Sequence, residues 1–175
     1  MALPPTFQFS QSMLQDYLDC ARRFQLRYLL QHPWPAVQSE PLSEFERVME
    51  LGWRFHQLLR QHNMGLPEGE LARTLDDPDL RRWWRNYMES PPPNLPGAVR
   101  RAEVTLSTPL GAHRLAARYD MLAAEPGRRA VIVDWKTNQK RPDGAQLAGR
   151  LQTRVYRYVL VAAGKDYNAG GPLAP

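Results

Sequence analysis

The chain has 175 residues, a formal net charge of +5 and a pI near 9.7. This is the length of one ordinary domain with room for a real core, and the basic balance, with arginine far outnumbering lysine, favours a polyanionic partner. No apolar run is long enough to span a membrane, Met1 to Gln8 lacks a signal pattern, and the single cysteine excludes an internal disulfide, so a cytoplasmic protein is expected.

From Ser10 to about Glu89 the pattern is helical. Ser10 or Ser12 can cap a first helix with an apolar stripe of Leu14, Tyr17 and Leu18. Ala21 to Leu30 mixes arginines with Phe24, Leu26, Tyr28 and Leu29, and Pro33 and Pro35 close it. A third helix is predicted from about Ser43 to His62, with Phe45, Val48, Gly52, Phe55 and Leu59 at helical spacing. Asp77-Pro78-Asp79 supplies an N-cap, a first-turn proline and an early acid for a helix to about Glu89. Pro91-Pro92-Pro93 is a stiff linker into a second half of strands. Val99 to Leu106 and Leu115 to Leu122 are predicted strands, with a turn at Pro109-Leu110-Gly111. A polar loop with Pro142, Asp143 and Gly144 then leads into a helix from about Ala145 to Ala163.

Between those last elements lies Val131-Ile-Val-Asp-Trp-Lys-Thr137. In a strand, Ile132, Asp134 and Lys136 share one face, and Val131, Val133 and Trp135 the other. An acid and an ammonium thus project together from the end of a buried strand, a costly arrangement unless they are paired or bind a metal. The residues alone leave plainer readings open. Lys136 can be a surface lysine screening Asp134, and Asp120 can bond Arg118 or a nearby backbone amide. Glu103 can pair with Arg101 or Arg118, and His56 can simply pack. In Arg81-Arg82-Trp83-Trp84-Arg85 the plain reading is preferred: tryptophan in the core and solvated arginines.

Taken in order, these motifs resemble the RecB-like branch of the PD-(D/E)XK nuclease superfamily. They are Ser10-Gln-Ser12 with Cys20-Ala-Arg22-Arg23-Phe24, a GxxxH helix from Gly52 to His56, Glu103 on a strand, Arg118-x-Asp120, Asp134-x-Lys136, and a QxxxY helix with Gln152 and Tyr156. The resemblance runs from about residue 8 to 160. It implies a single α/β domain over residues 1–175, with a small mixed sheet flanked by helices: a mainly helical part over 1–90, sheet and QxxxY helix over 97–165, and a loop or truncated end over 166–175. It implies a Mg²⁺- or Mn²⁺-dependent DNA nuclease. His56, Asp120, Asp134 and the main-chain carbonyl of Trp135 would hold the metal, and Asp120, Asp134 and Lys136 would be catalytic. Glu103 would support the site, and Gln152 and Tyr156 would contact DNA. Two carboxylates about 4 Å apart repel by roughly 1–4 kcal/mol, which a divalent cation reverses, and hard oxygens with one imidazole suit these two ions.

An exonuclease in recombination or repair, possibly beside a helicase or within a recombination complex, is the biology this resemblance implies. The rivals are a non-catalytic DNA-binding or scaffold module and a restriction- or CRISPR-type endonuclease. Two departures stand out. Cys20 sits where relatives place the first of four cluster-binding cysteines, but no other cysteine exists, so no iron–sulfur cluster is expected and Cys20 should be a small buried residue. After the QxxxY helix no further strand is predicted, which would leave a sheet edge open.

Overall fold

A computed structural model describes residues 3–32, 40–137 and 143–174. Pro33, Pro35 and Pro142 of the reading above lie outside these. The elements in chain order are β1 (Gln8–Ser10), α1 (Gln11–Asp19), α2 (Ala21–Phe24), a π turn (Gln25–Leu29), α3 (Glu40–Asn63), α4 (Glu68–Arg73) and α5 (Pro78–Glu89). Then come β2 (Val99–Leu110), β3 (His113–Glu125), β4 (Arg129–Val133), α6 (Gly144–Gly149), α7 (Leu151–Ala163) and a 3₁₀ turn (Lys165–Asn168). The fold is the expected mixed sheet flanked by helices. Its four strands centre on β3, which pairs β2, runs parallel to β1 at Arg114–Ala116, and pairs β4 antiparallel from Met121 to Glu125. Among the described residues no helix is long and apolar enough to cross a membrane.

Two compact units share the long strands β2 and β3. The first contains the described residues up to 32, Thr105–Tyr119 and those from 143 onward; the second contains the described residues from 40 to Val104 and Asp120–Thr137. In the first unit, Ser10 caps α1 by accepting from the Met13 N–H at 3.3 Å, as its position predicts. The expected apolar stripe does not go inside. Tyr17 and Leu18 are exposed, no residue of α1 is buried, and Tyr17 meets Phe24 only edge-on. Cys20 is also exposed, against expectation. It sits in extended backbone at the corner between α1 and α2, and its sulfur accepts the Arg23 N–H, so capping places it.

Asp16 joins α1 to the following turn. It accepts from the Tyr28 hydroxyl and from Arg27, both at 2.8 Å, and pairs with Arg23 at 3.0 Å. The Tyr28 hydrogen bond foremost, then the two arginines, hold its carboxyl below the ordinary value, with burial opposing. The single C-terminal helix expected from about Ala145 is two. Arg150 has ψ 138°, extended rather than helical, and starts α7 afresh.

In the second unit α3 is a long amphipathic helix. Leu51, Phe55, Leu58 and Leu59 fall at i, i+4, i+7 and i+8, and they pack with Leu71, Leu75, Leu80 and Trp84 in one core. Leu71 belongs to α4, an element the sequence pattern did not suggest. Asp77 caps α5 by accepting the Asp79 N–H at 2.7 Å. The tryptophan–arginine run resolves as the plain reading holds: Trp84 is buried, Trp83 packs against the core, Arg82 pairs with Asp79, and Arg81 donates to the carbonyls of Leu75 and Asp76.

The strands extend beyond their predicted bounds. β2 and β3 meet at a tight turn where Gly111 has φ +59°, a left-handed conformation that suits glycine. β3 alternates Leu115, Ala117, Tyr119 and Met121 on its buried face, then is buried on both faces through Ala124. β4 differs from the buried strand expected. Among the described residues it pairs only with β3; it ends at Val133, and from Ala130 to Val133 it is half-buried, as an edge strand is.

Candidate active site

The β3–β4 register ends at the pair Met121–Val133, and continuing it by one residue sets Asp120 opposite Asp134. Directly opposed residues of an antiparallel pair share a face, which puts both carboxylates on one side where β4 ends. Trp135 turns the other way. Its ring packs against the core of the second unit and lies 6.0 Å, edge-on, from Tyr87. The alternation expected from the sequence thus continues past the last ladder pair.

Four contacts organise this end. The Trp135 N–H donates to Asp120 Oδ2 at 2.8 Å, so the backbone that presents Asp134 and Lys136 is tied to the strand that presents Asp120. His56 Nδ1 lies 3.2 Å from Asp120 Oδ1. Lys136 Nζ lies 2.6 Å from Asp134 Oδ2. Finally, a Cβ at Gly52 would stand only 3.1 Å from Thr137 Oγ1. Glycine one turn before His56 therefore lets the Asp134–Thr137 segment lie close against α3, which accounts for a residue that costs about 1 kcal/mol of helix propensity.

The site is partly desolvated, with Asp120 17 % and His56 28 % exposed at the side chain. The His56 imidazole is pushed above its ordinary value chiefly by its hydrogen bond to Asp120. The charges of Asp120 and Asp134 act in the same sense, against burial and Lys136. Among the described residues no three His, Cys, Asp or Glu side chains are gathered into a metal cage. Asp120 gives one oxygen to His56 and the other to the Trp135 N–H, while Asp134 faces Lys136. The donor chemistry, two carboxylates and an imidazole, nonetheless suits a hard divalent cation.

The other residues singled out from the sequence are placed as follows. Glu103 lies half-buried within β2 at φ +54°, a left-handed conformation that costs a non-glycine residue energy and is retained mostly where function or packing demands it. Gln152 and Tyr156 belong to the first unit, one turn apart on α7 and half-buried. Tyr156 packs edge-on against Tyr119 at 5.1 Å, and its carbonyl accepts the Tyr119 hydroxyl at 3.0 Å, so it has a clear packing role. His62 packs edge-on against Trp84 and Tyr87, and His113 against Phe7 and Phe9, as plain core residues do.

Sequence reasoning missed two features. No pattern of residue types announces that the Trp135 amide would hold Asp120. Trp53 left a readable signal, a tryptophan outside the apolar stripe of its helix.

The chain matches the family described as the PD-(D/E)XK nuclease superfamily over residues 8–174. Among curated proteins and among solved structures nothing matches it.

Proposed function

Because this chain belongs to the PD-(D/E)XK nuclease superfamily, we propose that it hydrolyses DNA phosphodiester bonds with Mg²⁺ or Mn²⁺ at the end of β4. The observation that carries this reading is the meeting of Asp120, Asp134, Lys136 and His56 through the β3–β4 register and the Gly52–Thr137 approach. His56, Asp120, Asp134 and the Trp135 carbonyl would hold the ion. When bound, such an ion lowers the pKa of a water molecule and offsets charge developing on the phosphate.

The chain's own residues do the rest. The Trp135 amide orients Asp120, and Asp120 in turn orients His56. Lys136 is held by Asp134 with its ammonium beside the carboxylates, where it positions the attacking water and stabilises the negative charge that builds at phosphorus. The water oxygen bonds to phosphorus, one ester P–O bond breaks, and the leaving alcohol receives a proton. Glu103 supports the site, and Gln152 and Tyr156 contact the DNA. The finer reading, an exonuclease of recombination or repair working with a helicase or recombination-complex partner, is supported by the order of RecB-like motifs alone.

A specific observation favours a second reading, a non-catalytic DNA-binding or scaffold module: no ready three-ligand cage exists among the described residues. Calorimetric titration with Mn²⁺ separates the two. The nuclease reading expects a binding site in the wild type that Asp120→Ala or Asp134→Ala abolishes. Identical titrations for all three proteins would support the scaffold.

A further inference from the structure

Trp53 breaks the amphipathic pattern of α3. Leu51, Phe55, Leu58 and Leu59 form the buried stripe, and Trp53 falls outside it with 64 % of its surface exposed. Met49, one turn earlier on the same face, is 60 % exposed. Tryptophan and methionine are enriched among interface residues, and here the two lie side by side on one exposed helix face. The position identifies what binds. Trp53 is three residues before His56, so the two side chains are neighbours on the helix surface, and His56 touches Asp120.

Charge along the same face gives a direction. Glu46 and Glu50 stand seven and three residues before Trp53, and Arg60 stands seven residues after it, about 10 Å along the axis; all three are exposed. A polyanion is repelled at the glutamate end and attracted at the Arg60 end. Of the other cations of α3, Arg54 is already engaged by Asp76 and Arg47 by Glu44, Asp77 and Asp79.

We propose that Trp53 is a stacking platform for an unpaired nucleobase next to the phosphate that would meet the metal ion at His56 and Asp120, with the strand leaving along α3 toward Arg60. This rests on the nuclease reading above and adds to it a residue that selects substrate. An aromatic face stacks any base, but only a base already out of its duplex offers one. The substrate is therefore a strand presented single at that nucleotide, and Met49 widens the apolar floor beside it.

Equilibrium binding of labelled oligonucleotides tests this, with Ca²⁺ in place of Mg²⁺ or Mn²⁺ as the hard cation between the carboxylates and the phosphate, using wild type, Trp53→Ala and Trp53→Phe. The probes are a single strand, a blunt duplex, and single strands with one abasic site stepped along the sequence. Trp53→Ala is expected to weaken single-strand binding about tenfold, and Trp53→Phe far less. One abasic position is expected to reproduce that loss in the wild type and to cost nothing further in Trp53→Ala. Unchanged binding by Trp53→Ala, or a loss equal at every abasic position, overturns the proposal and leaves the nuclease reading standing. Wild type that binds none of the probes overturns both. Circular dichroism melts, expected to coincide because Trp53 is exposed, show that the variants are folded.

Discussion

A single missing methyl group shapes the candidate site. Gly52 lets the Thr137 hydroxyl come within 3.1 Å of where a Cβ would stand, and Thr137 ends the segment that presents Asp134 and Lys136. Gly52→Ala improves helix propensity by about 1 kcal/mol and presses on that segment. The expected outcome is a melting temperature close to wild type with cleavage reduced at least severalfold. Melting and initial-rate measurements on one preparation check it, and an unchanged rate would mean that the approach does not matter. Gly52, His56, Asp120, Asp134 and Lys136 were legible in the sequence through the order of motifs that carries the family resemblance, since taken singly each has a plainer reading. The amide of Trp135 was not, because every residue has one, and only the register of β3 on β4 aims it at Asp120.

Elements were legible where periodicity was strong and misread where capping or local bonding decided. The α3 helix with Phe55 and Leu59 in its core stripe and the Asp77 cap were plain in the sequence, Leu51 and Leu58 were not, and Leu59→Ala is expected to cost about 2–5 kcal/mol in chemical denaturation, as truncation in a fully buried site does. Of the Leu14–Tyr17–Leu18 stripe, Leu14 is half-buried while Tyr17 and Leu18 face water, since nothing in the spacing of nine residues says what lies beside them. Cys20 looked like a small buried residue, yet its sulfur is needed at a helix corner. What fastens α1 to the following turn is Asp16, whose partners lie seven to twelve residues on. Its carboxyl titrates below the ordinary 3.8, so its contribution to stability is present above that pH and is lost as pH falls through the lower folded value. Asp16→Asn should therefore be less stable than wild type at neutral pH, and the gap should narrow progressively as pH is taken below 3.8. Urea titrations across that range test this, and a gap independent of pH would contradict it.

Across the whole molecule, the family and the α/β fold follow from motif order, while the grouping of residues into two compact units does not follow the division into a helical and a sheet half. β2 and β3 are long enough to serve both units, which local sequence signals do not convey. On the proposed reading, a cation held by Asp120 and Asp134 where β4 ends would stabilise the folded chain. At about one hundred times its dissociation constant such an ion adds roughly 2.7 kcal/mol. Mn²⁺ should raise the melting temperature of the wild type and not that of Asp134→Ala, and an equal shift in both would place the ion elsewhere. The most direct test of the central claim is degradation of linear and circular DNA, single- and double-stranded, with Mg²⁺, Mn²⁺ or EDTA, by wild type beside Lys136→Ala. Cutting that needs the metal and is lost in the variant is the expected result, with circles spared if the enzyme works from ends. No metal-dependent cutting by the wild type, or equal cutting by the variant, would contradict it.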